Sequence, residues 1–400
     1  MSGEGIPAAR YAARLAAARE RLAGAGAAAL LVGVGADLQW LTGYRAMPLE
    51  RLTMLVLPRD GEPALIVPRL EMAPAVLAPA AAAGIVRVVT WEETEDAVAL
   101  VPGLLVAGGA RAAGVGSGGA LPGGLAGDAR LLVSDRLWAT FVLRLQAAFA
   151  GWTFGLASEV LRPLRMLKDA DEIALLRAAA HAADRVVLAI AAGPLVGRSE
   201  ADVAREVRAR LVDEGHDTAE FWIVASGPNS ASPHHEASGR TIHAGEPIVL
   251  DIGGTRAGYA SDITRTLWVT GDEGLGPDPE FLGMYEVLRA AQVAATAAVR
   301  PGVACERVDA VARDMITAAG FGPRFLHRLG HGIGLEGHED PYLVAGNAEP
   351  LREGNAFSVE PGIYLEGRYG ARIEDIVVCT AHGPDVLDDV TRDLLVVRGT

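Results

Sequence analysis

The stretch from Pro247 to Thr266, PIVLDIGGTRAGYASDITRT, constrains this chain more than any other. Ile248, Val249 and Leu250 form a short apolar run that predicts a buried strand with Asp251 at its end. Asp262 follows eleven residues later, after a turn assigned to Gly253, Gly254 and Gly258. An ionised carboxylate among apolar strand residues is costly unless a cation or hydrogen bonds compensate it. Two of them on neighbouring strands, with no lysine and only Arg256 between, call for a metal. Read alone, the pair is more often structural, one aspartate ending a strand and the other capping a turn.

Three later positions change that balance. His331 lies in LGHGIGL, Glu360 in SVEPGIY and Glu374 in RIED. The two glutamates are fourteen residues apart in β-rich runs, with Gly367 and Gly370 between them. That is the layout of a hairpin presenting two carboxylates to one point. The order Asp, Asp, His, Glu, Glu resembles the metallopeptidase family of prolidase and aminopeptidase P. The likeness runs motif after motif from Arg165 to about Val397, and more loosely through the N-terminal part.

The resemblance implies an α/β (α+β) chain: a creatinase-like N-terminal domain at 1–164 followed by a pita-bread catalytic domain at 165–400. Four carboxylates and one imidazole make a hard, anionic nest suited to two divalent ions, with Mn²⁺ favoured over Co²⁺, Zn²⁺ or Fe²⁺. By resemblance Asp262 and Glu374 would bridge the ions and Asp251 would hold one. His331 and Glu360 would complete the other. Such a pair lowers the pKa of a shared water, and Glu360 is the candidate to carry a proton to the leaving nitrogen.

His234, in SPHHE, and His338, seven residues beyond His331, match further family motifs. They imply hydrogen bonds to the scissile carbonyl or oxyanion and to the group beyond it. Arg372 precedes Glu374 by two and resembles the family's arginine that orients a carboxylate ligand or meets the substrate. His235 and His327 stay unassigned, closer to a structural role than a catalytic one, and His181, His216, His243 and His382 are read as solvated or capping residues. Phe221 and Trp222 fit either a pocket wall or the core.

The rest of the chain supports this organisation. At 400 residues it is too long for one ordinary core. Its net charge of −14 argues against nucleic acid and anionic membranes as partners. Only two cysteines occur, Cys305 and Cys379, in no ligand spacing, which suits a reducing cytoplasm. Arg10, Arg14, Arg19 and Arg21 precede an apolar run in the manner of a targeting segment. However, Tyr11, Leu15, Ala18 and Leu22 recur at helical spacing, so a helix and then a strand are expected, with no targeting segment.

Strands are expected over 52–57, 64–67, 85–89 and 131–134, and the glycines from Gly108 to Gly119 read as a surface loop. Trp40-Leu-Thr-Gly-Tyr44 carries the creatinase-like resemblance. Capping boxes at Asp169/Glu172 and Ser199/Asp202 start two helices. Two more helices, 279–299 and 304–319, follow the aspartates, the second with Val308, Val311 and Met315 inward. Helix pair, strands, helix pair, strands is an approximate internal duplication.

The expected activity is hydrolysis of the bond before proline at the N-terminus of small proline-containing peptides, by a homodimer as the family suggests. An Xaa-Pro aminopeptidase is preferred, with an Xaa-Pro dipeptidase (prolidase) as the alternative. The preference rests on Glu339 and Asp340 just after His338, where two acids would repel a dipeptide's carboxylate unless Arg324, Arg328 or Arg372 supplied a cation. Remoter alternatives are a metal-free creatinase-type C–N hydrolase and a binding protein on the same fold.

Overall fold

The structure, a computed structural model, describes residues 5–105 and 129–399. The glycine-rich segment from Gly108 to Gly119 lies outside the described residues. The chain divides into two compact units, one of Ile6–Arg165 and one running from Met166 onward. Among the described residues no helix is long and apolar enough to cross a membrane.

The first unit is built on a six-stranded sheet in the order β4-β3-β2-β1-β5-β6. Its strands are β1 (Ala29–Gly33), β2 (Met54–Pro58), β3 (Ala64–Pro68), β4 (Arg87–Trp91), β5 (Arg130–Val133) and β6 (Thr153–Leu156). Strand β1 pairs antiparallel with β2 and parallel with β5, and every residue of it is buried. A central strand covered on both faces reads as an unbroken apolar run. Strand β4 starts two residues later than the apolar pattern predicts, because the amides of Ile85 and Val86 close the preceding turn on the carbonyl of Ala80. In the helix Ala8–Gly24, Tyr11, Leu15, Ala18 and Leu22 face inward as their spacing predicts. Arg14 is buried with them, its guanidinium lying over the Trp40 ring and donating to the Trp40 carbonyl.

The second unit holds two larger sheets. One has the order β18-β10-β8-β7, from β7 (Thr218–Ser226), β8 (Glu246–Arg256), β10 (Ile263–Val269) and β18 (Leu395–Val397), with the short β9 (Tyr259–Ala260) beside β8. The other has the order β12-β11-β13-β16-β17, from β11 (Gly330–Gly332), β12 (Glu339–Leu343), β13 (Ala356–Val359), β16 (Asp375–Thr380) and β17 (Gly383–Val386). A hairpin of β14 (Gly362–Leu365) and β15 (Tyr369–Arg372) stands apart. Helices Ala170–Ala191 and Glu200–Asp213 pack their apolar faces on the first sheet. Helices Pro279–Ala298 and Cys305–Ala318 do the same on the second. Both expected capping boxes are present. In the last helix Ile316 fills the core while Met315 faces solvent, one position off the expected stripe.

Strand β8 departs from its sequence reading. It does not end at Asp251 but continues to Arg256, so the aspartate sits in mid-strand. Gly253 and Gly254 are strand residues, and the turn is made by Ala257 and Gly258, both at positive φ. The two strand glycines answer to close approach. A Cβ on Gly253 would lie 2.2 Å from the Ser261 carbonyl oxygen, and one on Gly254 would lie 2.4 Å from that of Thr218.

The two sheets are joined where Thr264 bridges Glu374, the Glu374 amide donating to the Thr264 carbonyl at 3.1 Å. Beneath that joint the fully buried Arg265 pairs with Asp375 at 2.6 Å and donates to the carbonyls of Thr264, Glu374, Val390 and Thr391. A buried pair whose donors and acceptors are all satisfied is hard to break from one side, since a lone charge remains.

The glycine requirement is testable. Gly253→Ala should lower stability by about 1–3 kcal/mol through overpacking. Gly283→Ala, in an exposed helix position with open space around it, should raise stability by about 0.4–1 kcal/mol. Urea midpoints that leave Gly253→Ala equal to wild type would show that β8 yields without strain.

Candidate active site

A cavity of about 280 Å³ in the second unit is lined from both sheets. Asp251 enters it from the middle of β8, and Asp262 from the residue before β10. His331 sits at the centre of β11, and Glu360 directly follows β13. Glu374 lies between β15 and β16, so Glu360 and Glu374 flank the base of the β14–β15 hairpin. All five residues read as ligands in the sequence therefore converge on one space. Asp251, Asp262 and Glu374 offer ligand atoms within 4.8 Å of one another, and so do His331, Glu360 and Glu374.

Hydrogen bonds orient these donors. His331 Nδ1 donates to the Gly332 carbonyl at 3.1 Å, which turns Nε2 toward the cavity. Nε2 faces Glu360 Oε1 at 3.2 Å and Asp262 Oδ2 at 3.6 Å. Thr264 Oγ1 donates to Glu374 Oε2 at 2.7 Å and accepts from Arg372 Nε at 3.1 Å. Arg372 also donates to Asp251 Oδ2 and, at 2.8 Å, to the Tyr364 hydroxyl. The other oxygen of Asp251 is buried with no hydrogen-bond partner.

The charges are unbalanced. Burial, then the fields of Asp251 and Glu360, raise the Asp262 carboxyl well above its ordinary range. Burial, then Asp262 and Glu360, do the same to Glu374. Burial raises Asp251 as well, against the pull of Arg372. Glu360 is opposed by burial too, but its hydrogen bond and charge interaction with His331 win and hold it at about 2. Four crowded carboxyls answered by one arginine suit hard cations, and the orphaned Asp251 oxygen is a ligand atom without a protein partner.

The remaining sequence candidates are brought to the same place. His234 and Arg372 line the cavity. His338 does so with its ring stacked on His331 at 3.6 Å between centroids, and burial, then the His331 charge, lowers its pKa to about 4. His338 also offers a ligand atom within 4.8 Å of those of Asp262 and His331. Phe221 and Ile223 form an apolar wall, whereas Trp222 belongs to the core of the first sheet.

His327, unassigned in the sequence reading, lines the cavity and lies 2.9 Å from the Tyr364 hydroxyl. One reading is corrected. His216 is buried rather than solvated, held between the Leu211 carbonyl and Ser261 Oγ. The sequence reading assigned Tyr364 no role, although its hydroxyl ties His327 to Arg372. Its signal was weak: a tyrosine inside the Glu360 signature, four residues past the ligand.

The comparisons with known proteins agree with this geometry. Residues 174–381 match the model of Metallopeptidase family M24, and residues 14–167 match the Creatinase/Prolidase N-terminal domain. A probable dipeptidase PepE of Mycobacterium tuberculosis is 45% identical over 388 residues, 97% of this chain and 96% of the relative. The crystal structure of dipeptidase PepE from Mycobacterium ulcerans superposes with a TM-score of 0.87 at 44% identity, covering 98% of this chain and 99% of that one. A recombinant prolidase from Thermococcus sibiricus gives a TM-score of 0.84 at 32% identity, covering 97% and 99%. With its five-donor cavity in a pita-bread unit and a creatinase-like unit ahead of it, this chain belongs to Metallopeptidase family M24 and is a hydrolase.

Proposed function

We propose that this protein is a dinuclear metal-dependent Xaa-Pro dipeptidase, a prolidase. The observation that carries the reading is the convergence of Asp251, Asp262, His331, Glu360 and Glu374 on one cavity. Likeness along nearly the whole chain to dipeptidases supports the dipeptide over the longer substrate. The argument for an aminopeptidase loses its footing. Glu339 is bound by Lys168 Nζ at 2.6 Å with both side chains nearly buried, and neither Glu339 nor Asp340 lines the cavity. Arg328 does line it, its guanidinium 4.4 Å from the Tyr342 ring centroid and without an ion-pair partner among the described residues. It is the cation available to a dipeptide carboxylate.

Asp251, Asp262 and Glu374 would hold one ion and His331, Glu360 and Glu374 the other, with Glu374 common to both sets. When bound, the ions supply Lewis-acid polarisation and acidify water. Glu360 accepts the proton and delivers it to the prolyl nitrogen, which as a tertiary amide has no hydrogen of its own. His234 donates to the developing oxyanion. Arg372 holds Asp251 and Tyr364 in place, and Phe221 and Ile223 offer apolar contact to the proline ring. Manganese, a homodimer, a division at 1–164 and 165–400 and a cytoplasmic setting complete the proposal. The two free, buried cysteines fit a reducing compartment.

The metal assignment predicts a pH signature. In chelator, Asp262 and Glu374 have folded pKa values raised above their ordinary 3.8 and 4.5. Their protonated forms therefore contribute stability at low pH, and it is lost as pH rises through the folded values. Added Mn²⁺ should restore it, so the metal-induced rise in urea midpoint should grow from pH 5 to pH 8, as ions and protons compete. A rise that shrinks over that range, or full turnover in chelator, would sink the assignment.

Glu360→Gln should remove roughly 10⁴-fold of kcat, at the upper end for proton transfer because the ligand charge goes too. His234→Ala should remove roughly 10²-fold, the loss of one oxyanion donor. Equal and modest losses in single-turnover assays would mean the roles are misassigned.

Substrate length is decided by comparing Ala-Pro with Ala-Pro-Ala and with the amide of Ala-Pro. The dipeptide should win in kcat/KM by about tenfold or more. Arg328→Met should cost Ala-Pro roughly tenfold to a hundredfold, chiefly in KM, by removing one charge-assisted contact. The amide should be little affected. A wild-type preference for Ala-Pro-Ala returns the protein to the aminopeptidases.

A further inference from the structure

The residue that decides whether His234 can act lies outside the cavity. The His234 ring makes no hydrogen bond of its own among the described residues, so its place is set by the backbone around it. That backbone, 226–238, is a loop that leaves β7 at Ser226 and carries a short 3₁₀ turn at Gly227–Ala231. On the cavity side it is held by Arg372, which donates to the Pro233 carbonyl at 3.2 Å, and by the Gly370 amide donating to Ser230 Oγ at 2.8 Å.

On the opposite side it is gathered by one carboxylate. Glu200, the first residue of the helix Glu200–Asp213, is fully buried. Its Oε1 accepts from the Ser226 amide and hydroxyl, both at 2.8 Å, and from Asn229 Nδ2 at 3.0 Å. Its Oε2 faces His235 Nε2 at 2.8 Å and accepts from the Ser238 amide at 3.1 Å and the Ser238 hydroxyl at 2.7 Å. Every partner belongs to the loop, and His235 is the residue next to His234. Burial opposes the charge of Glu200, but these hydrogen bonds outweigh it and hold the carboxyl at about 2. It remains an anion at any working pH.

We propose that Glu200 is a positioning residue for the peptidase reaction, gathering the 226–238 loop so that His234 is presented to the substrate. The proposal rests on the role given to His234 above. Its chemistry is specific to a carboxylate. Both oxygens receive a backbone N–H, and a backbone N–H cannot be reversed. An amide in that place turns one acceptor into a donor facing a donor, so glutamine fills the space but cannot hold both ends of the loop.

The test uses the full-length, metal-loaded enzyme and a double-mutant cycle of Glu200→Gln and His234→Ala with Ala-Pro as substrate. Glu200→Gln should lower kcat/KM by about tenfold to a hundredfold, the loss that follows misplacement of a reacting group by about an ångström. The loss should fall mainly on kcat, with metal content unchanged. The double variant should be no worse than His234→Ala alone, because the carboxylate acts through that histidine. Hydrogen exchange should quicken at the amides of 226–238 in Glu200→Gln. His235→Phe, which leaves the carboxylate and its backbone donors in place, should give a smaller loss in the same direction and covers the case in which Glu200→Gln fails to fold. Losses that multiply in the double variant, wild-type activity in Glu200→Gln or a loss of metal would overturn the proposal. Wild-type turnover in His234→Ala would instead remove the role of His234, and this inference with it, while leaving the dipeptide preference to its own measurement.

Discussion

Mutual repulsion among buried carboxylates is the constraint on which the rest of this unit depends. Asp251, Asp262, Glu360 and Glu374 share one cavity and are answered directly by one guanidinium, that of Arg372. Left to itself such a group would take up protons or open to water. The fold prevents the opening by anchoring each donor on a strand or at a strand end. It also gives three of them a hydrogen bond, from Thr264 to Glu374, from Ser358 to Glu360 and from Arg372 to Asp251. What remains unanswered is the inward face, where divalent ions would be the natural counter-charge.

The two halves of the second unit divide this work. The first sheet supplies Asp251 and Asp262, and the second supplies His331, with Glu360 and Glu374 at the base of the hairpin. Neither half holds a complete set of donors, so the joint between them sets the geometry. That joint is the Thr264–Glu374 bridge, resting on the Arg265–Asp375 pair. Arg265 holds the backbone carbonyls of both Thr264 and Glu374, whose side chains touch each other one layer above. A charge buried for structure thus fixes the spacing of charges buried for chemistry.

Most of this was legible in the sequence, for identifiable reasons. The capping boxes and most of the helix stripes are local patterns that nothing distant contradicts, and the five donors read through the family resemblance come together in one cavity. The failures are all non-local. From the sequence Asp251 ends a strand because Gly253 and Gly254 look like a turn. Only the approach of the Ser261 and Thr218 carbonyls reveals why glycine is needed in mid-strand. Ile316 and not Met315 faces the core because the packed neighbours take the line of Val308, Ala312 and Ile316 at four-residue spacing. His327 looked incidental because its partner Tyr364 lies on the β14–β15 hairpin, 37 residues away.

The substrate question shows the same limit in electrostatic terms. Reading Glu339 and Asp340 as a negative wall assumed that charge near a histidine in sequence acts near it in space. Lys168, 171 residues earlier, cancels the first of these acids in a nearly buried pair. Arg328, which local counting had no reason to prefer over Arg324, is the guanidinium that borders the cavity besides Arg372. Arg372 is already committed to Asp251, Thr264 and Tyr364, and its charge is consumed in holding the donors apart. Specificity for a free carboxylate requires a cation that the fold has not already used. On the proposed dipeptidase reading, Arg372 holds the donors and Arg328, without an ion-pair partner among the described residues, is the cation left for the charged end of a short substrate.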